Sequence, residues 1–241
     1  DSRRPETVLM LIHGGGWDAL DRTSIRGIAT QIAARTALPV WTPDYRLIHH
    51  SPWPACLDDL ESAARWILES GSVPLGDPRK RRMAVGGFSA GGHLALMLGL
   101  TRKGKRLCCL ISVAGPTLLA EGLPTISRDI SRPEFGAPFF GKNPTFRDRR
   151  SVSPVCRVNG KGLPPLLLIH SREDRLVPPV HSLAMSRRYK ARGGNCRCVF
   201  FHGNDPYNGL WLKSRTAPRP ARKLNPRLVE AVHAFLSRKL P

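Results

Sequence analysis

Met83-Ala84-Val85-Gly86-Gly87-Phe88-Ser89-Ala90-Gly91-Gly92-His93-Leu94-Ala95-Leu96-Met97-Leu98-Gly99-Leu100 is the stretch whose reading decides the fold. Met83 to Val85 is a short apolar run of strand length, and Ala90 to Leu100 is an apolar helix. Between them Gly87-Phe88-Ser89-Ala90-Gly91 makes a G-x-S-x-G turn. A sharp strand-to-helix turn strains the serine backbone and brings its neighbours close, so both flanks must be small. The turn lifts Ser89 above the sheet and sets its oxygen at a helix N-terminus. Free N–H groups and the helix dipole there favour the negative charge that develops in acyl transfer.

The same rhythm extends outward in both directions. Thr7 to Ile12, Val40 to Thr42, Met83 to Val85, Leu107 to Val113, Leu166 to Ile169 and Cys198 to Phe201 read as six buried strands. Thr23 to Arg35, Pro54 to Glu69, Ala90 to Leu100, Val180 to Arg192 and Asn225 to Arg238 read as helices. In Pro54 to Glu69, Leu57, Leu60, Ala64, Ile67 and Leu68 recur at three- and four-residue intervals, leaving Asp58, Asp59, Glu61 and Arg65 wet. Strand and helix in alternation predict an α/β fold, a mostly parallel sheet with helices on both faces, over one domain at 1–241. Pro116 to Pro165, rich in Pro, Gly and Arg, breaks the rhythm and reads as a cap-like insertion or an irregular surface excursion. Arg215 to Arg222 reads as an exposed turn.

Composition bounds the function. The chain has 241 residues, 41% hydrophobic and 23% charged, which excludes a disordered or collagen-like protein. No apolar run reaches the roughly 18 to 20 residues of a membrane-spanning helix, so the chain reads as soluble and without a membrane span. Asp1 to Pro5 lacks a leader's apolar segment, and no initiator Met is present. The compartment is left open, with the cytoplasm as default. Lys plus Arg is 38 against 18 Asp plus Glu, a formal charge of +20. The basic residues are scattered and not interleaved with aromatics, which argues for a solvated basic surface and against a specific nucleic-acid site. The six cysteines lack metal-ligand spacing, so Cys108 and Cys109 read as buried thiols and no metal is expected.

A second motif stands at the end of the first strand, His13-Gly14-Gly15-Gly16-Trp17. Consecutive glycines reach backbone conformations closed to other residues, which lets N–H groups turn inward. With the N–H of Ala90, those of Gly15 and Gly16 would form an oxyanion hole. One such donor is typically worth about 100- to 1000-fold in rate. The rival use of a glycine cluster, a phosphate loop, needs G-x-x-x-x-G-K-[ST] or a well-placed G-x-G-x-x-G, and neither occurs.

His13-Gly-Gly-Gly-Trp17, Asp44-Tyr45-Arg46-Leu47, Pro52-Trp53-Pro54 with Asp58 and Asp59, Gly87-Phe-Ser-Ala-Gly-Gly-His93-Leu-Ala and the Leu167 to Pro178 segment follow one another in a known order. The chain resembles the α/β-hydrolases of the hormone-sensitive-lipase and feruloyl-esterase-like branch, small serine carboxylesterases, over nearly its whole length. The resemblance implies an eight-stranded sheet, of which this sequence starts at what looks like the third strand. It also implies cleavage of small carboxylic esters with no cofactor, the ester being the partner. Oligomeric state is not implied.

Within the resemblance, Leu166-Leu-Leu-Ile-His170-Ser-Arg-Glu173-Asp174-Arg-Leu-Val-Pro178 looks like the segment that carries the triad acid, assigned to Asp174 with Glu173 as competitor. His170, at the strand end, reads as structural. Chain order places the histidine after the acid, among His181, His202 and His233. His181 and His233 fall within expected helices, so the base is assigned to His202, 28 residues past Asp174. The family usually shows aromatic-Pro-Gly and then His-Gly-x-aromatic. That second stretch falls here on Asn208-Gly209-Leu210-Trp211, and an asparagine is no base. Two readings stay open: an esterase with Ser89, Asp174 and His202, or an impaired hydrolase-fold binding protein with Asn208 where the base belongs.

Overall fold

The computed structural model describes residues 6–101, 106–120, 133–160, 162–202 and 224–239. Six strands form one sheet: β1 (Thr7–Ile12), β2 (Val40–Trp41), β3 (Arg82–Phe88), β4 (Leu107–Val113), β5 (Leu166–Ser171) and β6 (Cys196–Phe201), in the order β2-β1-β3-β4-β5-β6 with every pairing parallel. Parallel neighbours need a crossover between them, and the helices supply it. They are α1 (Arg26–Thr36), α2 (Ala55–Glu69), α3 (Ala90–Thr101), α4 (Pro133–Phe140), α5 (Phe146–Ser151), α6 (Pro154–Arg157), α7 (Val180–Ala191) and α8 (Pro226–Lys239).

Side-chain alternation along β1 shows why both faces are covered. Val8, Met10 and Ile12 join Leu60 and Ala64 of α2, Leu94 of α3 and Met185 of α7 in one core layer. Leu9 and Leu11 point the other way, to Ile28 and Ile32 of α1 and Leu228, Val232 and Phe235 of α8. A strand buried on both sides reads as a continuous apolar run; β2 and β6, expected to be buried as well, stand at the sheet edges and are largely half-buried. Each fully buried Leu, Ile or Met contributes about 1.5 to 3 kcal/mol.

The six expected strands and five expected helices are all present, β1 and β4 with the expected ends and the others with shifted ends. The first helix is preceded by a 3-10 turn, Arg22–Ile25, capped by Asp21, whose carboxylate accepts the N–H groups of Thr23 and Ser24. The larger difference lies in 116–165. Its described residues hold α4, α5 and α6, short elements without long periodicity. Thr145 and Asp148 form a capping box at α5, a local signal that a search for apolar periodicity passes over. Arg215 to Arg222 lies outside the described residues. Cys108 and Cys109 are buried thiols as expected.

Candidate active site

The site stands at the C-terminal ends of β1, β3 and β5, where a parallel sheet opens toward ligand. Ser89 follows β3 directly and takes φ 53°, the left-handed region, which costs a non-glycine residue about 1 to 3 kcal/mol. Two backbone bonds hold it there: its N–H donates to Val113 O at 2.8 Å, and its carbonyl accepts the His93 N–H at 3.0 Å as the first bond of α3. Ser89 is half-buried. The flanking glycines answer to space. A side chain on Gly91 would place its first carbon 2.2 Å from Ile12 O and 2.4 Å from His13 O, and one on Gly87 would lie 2.2 Å from Gly91 O.

The glycine loop after β1 lies against this turn. The first side-chain carbon of any residue at Gly14 would come 3.4 Å from Ser89 Cβ and 2.9 Å from Phe88 O. Gly15 at φ 100° and Gly16 at φ 62° are both left-handed, and a carbon added at Gly15 would overlap Ala19 O at 1.8 Å. Tyr45 donates its hydroxyl to the carbonyls of His13 (3.2 Å) and Gly14 (3.0 Å) and stacks on the His13 ring at 4.2 Å. Those carbonyls are thereby occupied on the Tyr45 side. Burial holds the His13 imidazole below its ordinary pKa. Ala90, buried, opens α3.

Past the loop, Trp17 donates its indole N–H to Nδ1 of His93 at 3.1 Å, and Nε2 of His93 meets Val152 O at 2.8 Å. Burial lowers the His93 pKa to about 4. His181, at the start of α7, accepts the N–H groups of Thr117 (3.0 Å) and Leu118 (3.1 Å) on Nδ1, and burial brings its pKa to about 4 as well.

Beyond β5, Asp174 is buried at 7% exposure. Its Oδ1 accepts the N–H groups of Leu176 and Val177, both at 2.9 Å, and its Oδ2 lies 3.6 Å from His170 Nε2. His170 is bound on both nitrogens, to Ser182 Oγ at 2.7 Å and Val177 O at 2.6 Å, so it is a structural residue of the loop. His202 follows β6 directly with its Nδ1 2.9 Å from Glu173 Oε1, and its side chain is 76% exposed. The structure therefore brings His202 to the neighbour of Asp174. Asn208 lies outside the described residues.

A family model described as BD-FAE matches residues 1–189, most of the 241-residue chain. The chain belongs to the BD-FAE family. Among relatives, the carboxylesterase NlhH of Mycobacterium tuberculosis is 37% identical over 131 residues, 53% of this chain and 38% of that protein. Esterase LipC of Mycobacterium tuberculosis is 29% identical over 204 residues, 78% of this chain and 49% of that protein. The chain spans less than half the length of these two curated relatives. Among solved structures, a truncated carbohydrate esterase from gut microbiota superposes with TM-score 0.77 at 20% identity, covering 99% of this chain and 87% of that one. The Pyrobaculum calidifontis esterase gives TM-score 0.75 at 23% identity, covering 99% and 78%. At that identity the two structures show the fold, an α/β-hydrolase sheet.

For this BD-FAE chain, the strained turn at Ser89 and the left-handed glycines Gly15 and Gly16 were readable from glycine spacing. His93, Tyr45 and the contact between Glu173 and His202 were not assigned beforehand. His93 carried a weak signal: a histidine within an otherwise apolar helix must be satisfied if buried.

Proposed function

We propose that this protein is a serine carboxylesterase acting on small carboxylic esters through an acyl-enzyme. The observation that carries the proposal is a half-buried serine at φ 53°, at the head of α3, with Gly14 of the glycine loop packed on its Cβ side. A hydroxyl so placed attacks a carbonyl that enters above β3. Backbone N–H groups of Gly15, Gly16 and Ala90 are assigned to the oxyanion. The names of the relatives NlhH and LipC, a carboxylesterase and an esterase, support the same chemistry.

His202 is assigned as the base that takes the Ser89 proton and later returns it to the leaving alcohol. Glu173 holds its Nδ1, and Asp174, braced by two N–H groups, is assigned the fixed acid charge that favours the imidazolium. Water then releases the acyl group by the same steps. No step calls on a metal or an organic cofactor.

A second reading draws on one observation: His202 is well exposed and bonded to Glu173, not to Asp174. In that reading the chain is a hydrolase-fold binding protein whose serine acylates without turnover. Turnover of p-nitrophenyl acetate by the wild-type chain and its loss in Ser89→Ala support the esterase. Acylation of Ser89 with no release of acid supports the binding protein.

A further inference from the structure

Four residues beyond Ser89, on the same helix, stands a polar side chain that ester cleavage leaves unused. We infer that His93 is a positioning residue: its neutral imidazole is the strut that ties the Gly14–Trp17 loop to the nucleophile helix, and Val152 selects the tautomer that lets it do so.

The polarity of the two bonds dictates that role. An indole N–H only donates, so Nδ1 of His93 must present a lone pair to Trp17. A carbonyl oxygen only accepts, so the ring proton sits on Nε2 and goes to Val152. A single tautomer of the neutral ring satisfies both. The side chain is fully buried, and the rings packed on it, Trp17 and Trp53, carry no charge, nor does Phe139, which packs on both of them. His181 is the titratable neighbour that responds to its charge.

The loop needs such a strut. Gly16 and Trp17 are successive left-handed residues at φ 62° and 61°, and the tryptophan is held there by what its ring meets and by the Ile48 N–H, which its carbonyl accepts at 3.0 Å. The Trp17 ring packs edge-on against His93 at 5.2 Å and Phe139 at 5.3 Å and is 2% exposed. Without His93 the indole N–H is a buried donor with nothing in its place, and the loop gains by turning it elsewhere.

Val152 belongs to the segment between α5 and α6, and its neighbour Ser153 reaches the other side of the site. Ser153 Oγ donates to Thr117 O at 2.9 Å and accepts the Leu119 N–H at 3.1 Å. Thr117 and Leu118 in turn donate to His181. The dipeptide Val152-Ser153 thus joins the loop after β1, through His93, to the segment after β4, which His181 of α7 holds in turn. The effect on catalysis rests on the esterase reading; the tie itself does not.

The test uses the full chain with His93→Leu, His93→Gln and Trp17→Phe, read by amide hydrogen exchange at Gly14–Trp17 and by kcat and KM on p-nitrophenyl acetate. In His93→Leu and Trp17→Phe, exchange in the loop should rise about tenfold or more with β3 unchanged, and kcat should fall about 10- to 100-fold with KM within about threefold. His93→Gln, which keeps one acceptor and one donor, should recover most of both. Unchanged loop exchange in Trp17→Phe overturns the strut, including where His93→Leu does not fold. Faster exchange with kcat held within about twofold overturns the positioning role. Where the wild-type chain turns over no ester, the esterase reading fails and exchange alone decides the strut.

Discussion

Nδ1 of His202 lies 2.9 Å from Oε1 of Glu173, on the open side of a loop whose next residue, Asp174, is buried and braced by backbone N–H groups. Two adjacent carboxylates thereby divide two tasks, contact with the imidazole and construction of the loop.

Substitution separates those tasks. Glu173→Gln should lower kcat about tenfold and leave the Tm unchanged, because an exposed pair adds little to stability. Asp174→Asn should lower both, since the bonds from Leu176 and Val177 weaken when the acceptor loses its charge. His202→Ala should lower kcat about 1000-fold or more. Steady-state kinetics and thermal melts check all three. Full activity in Glu173→Gln with none in Asp174→Asn would make Asp174 the direct partner.

The position of the base is also tested from the other side. Asn208→His should leave kcat unchanged if His202 serves, and a tenfold or larger gain, measured on p-nitrophenyl acetate, moves the role to 208.

His93 and His181 predict acid sensitivity. Each has a folded-state pKa of about 4 against an ordinary value of 6.5, lowered by burial. Between those values the unfolded chain binds more protons than the folded one, so stability falls as pH drops from about 6.5 through about 4 and then levels. The loss is on the order of 3 kcal/mol per histidine. Urea melts at pH 7, 5.5 and 4.5 should show a falling midpoint, and His93→Gln should flatten part of that fall, the rest coming from His181 and from His13, whose pKa burial also lowers. An unchanged slope in His93→Gln contradicts it.

Gly91 and Gly71 form a contrasting pair. Alanine at Gly91 meets backbone oxygens of Ile12 and His13 at 2.2 and 2.4 Å, whereas Gly71 has nothing within 4 Å. Gly91→Ala should lower the Tm by about 10 °C or more or prevent folding, and Gly71→Ala should shift it by no more than about 2 °C. Equal melting temperatures would sink the close-approach argument.

Much of the fold was legible because β1, β3, β4 and β5 are buried on both faces and so appear as unbroken apolar runs in the sequence. Ser89 and the glycine loop were legible for a different reason: their backbone conformations and close approaches admit few residue types, which leaves a local trace. The pairing of His202 with Glu173 had no such trace, since either neighbouring carboxylate suits the same loop and only the direction of the chain at the end of β6 chooses between them. His93 was hidden because its partners, Trp17 and Val152, lie 76 and 59 residues away. The helices α4 to α6 were missed because elements of four to eight residues are too short for periodicity to register.

The most direct measurement is pre-steady-state turnover of p-nitrophenyl acetate, followed by intact-mass and peptide mapping of the acid-quenched chain. A burst of about one p-nitrophenol per chain with the acetyl group on Ser89 is the predicted result. A well-folded chain that shows no burst, or that carries the acetyl group on another residue, contradicts the assignment of Ser89 as nucleophile.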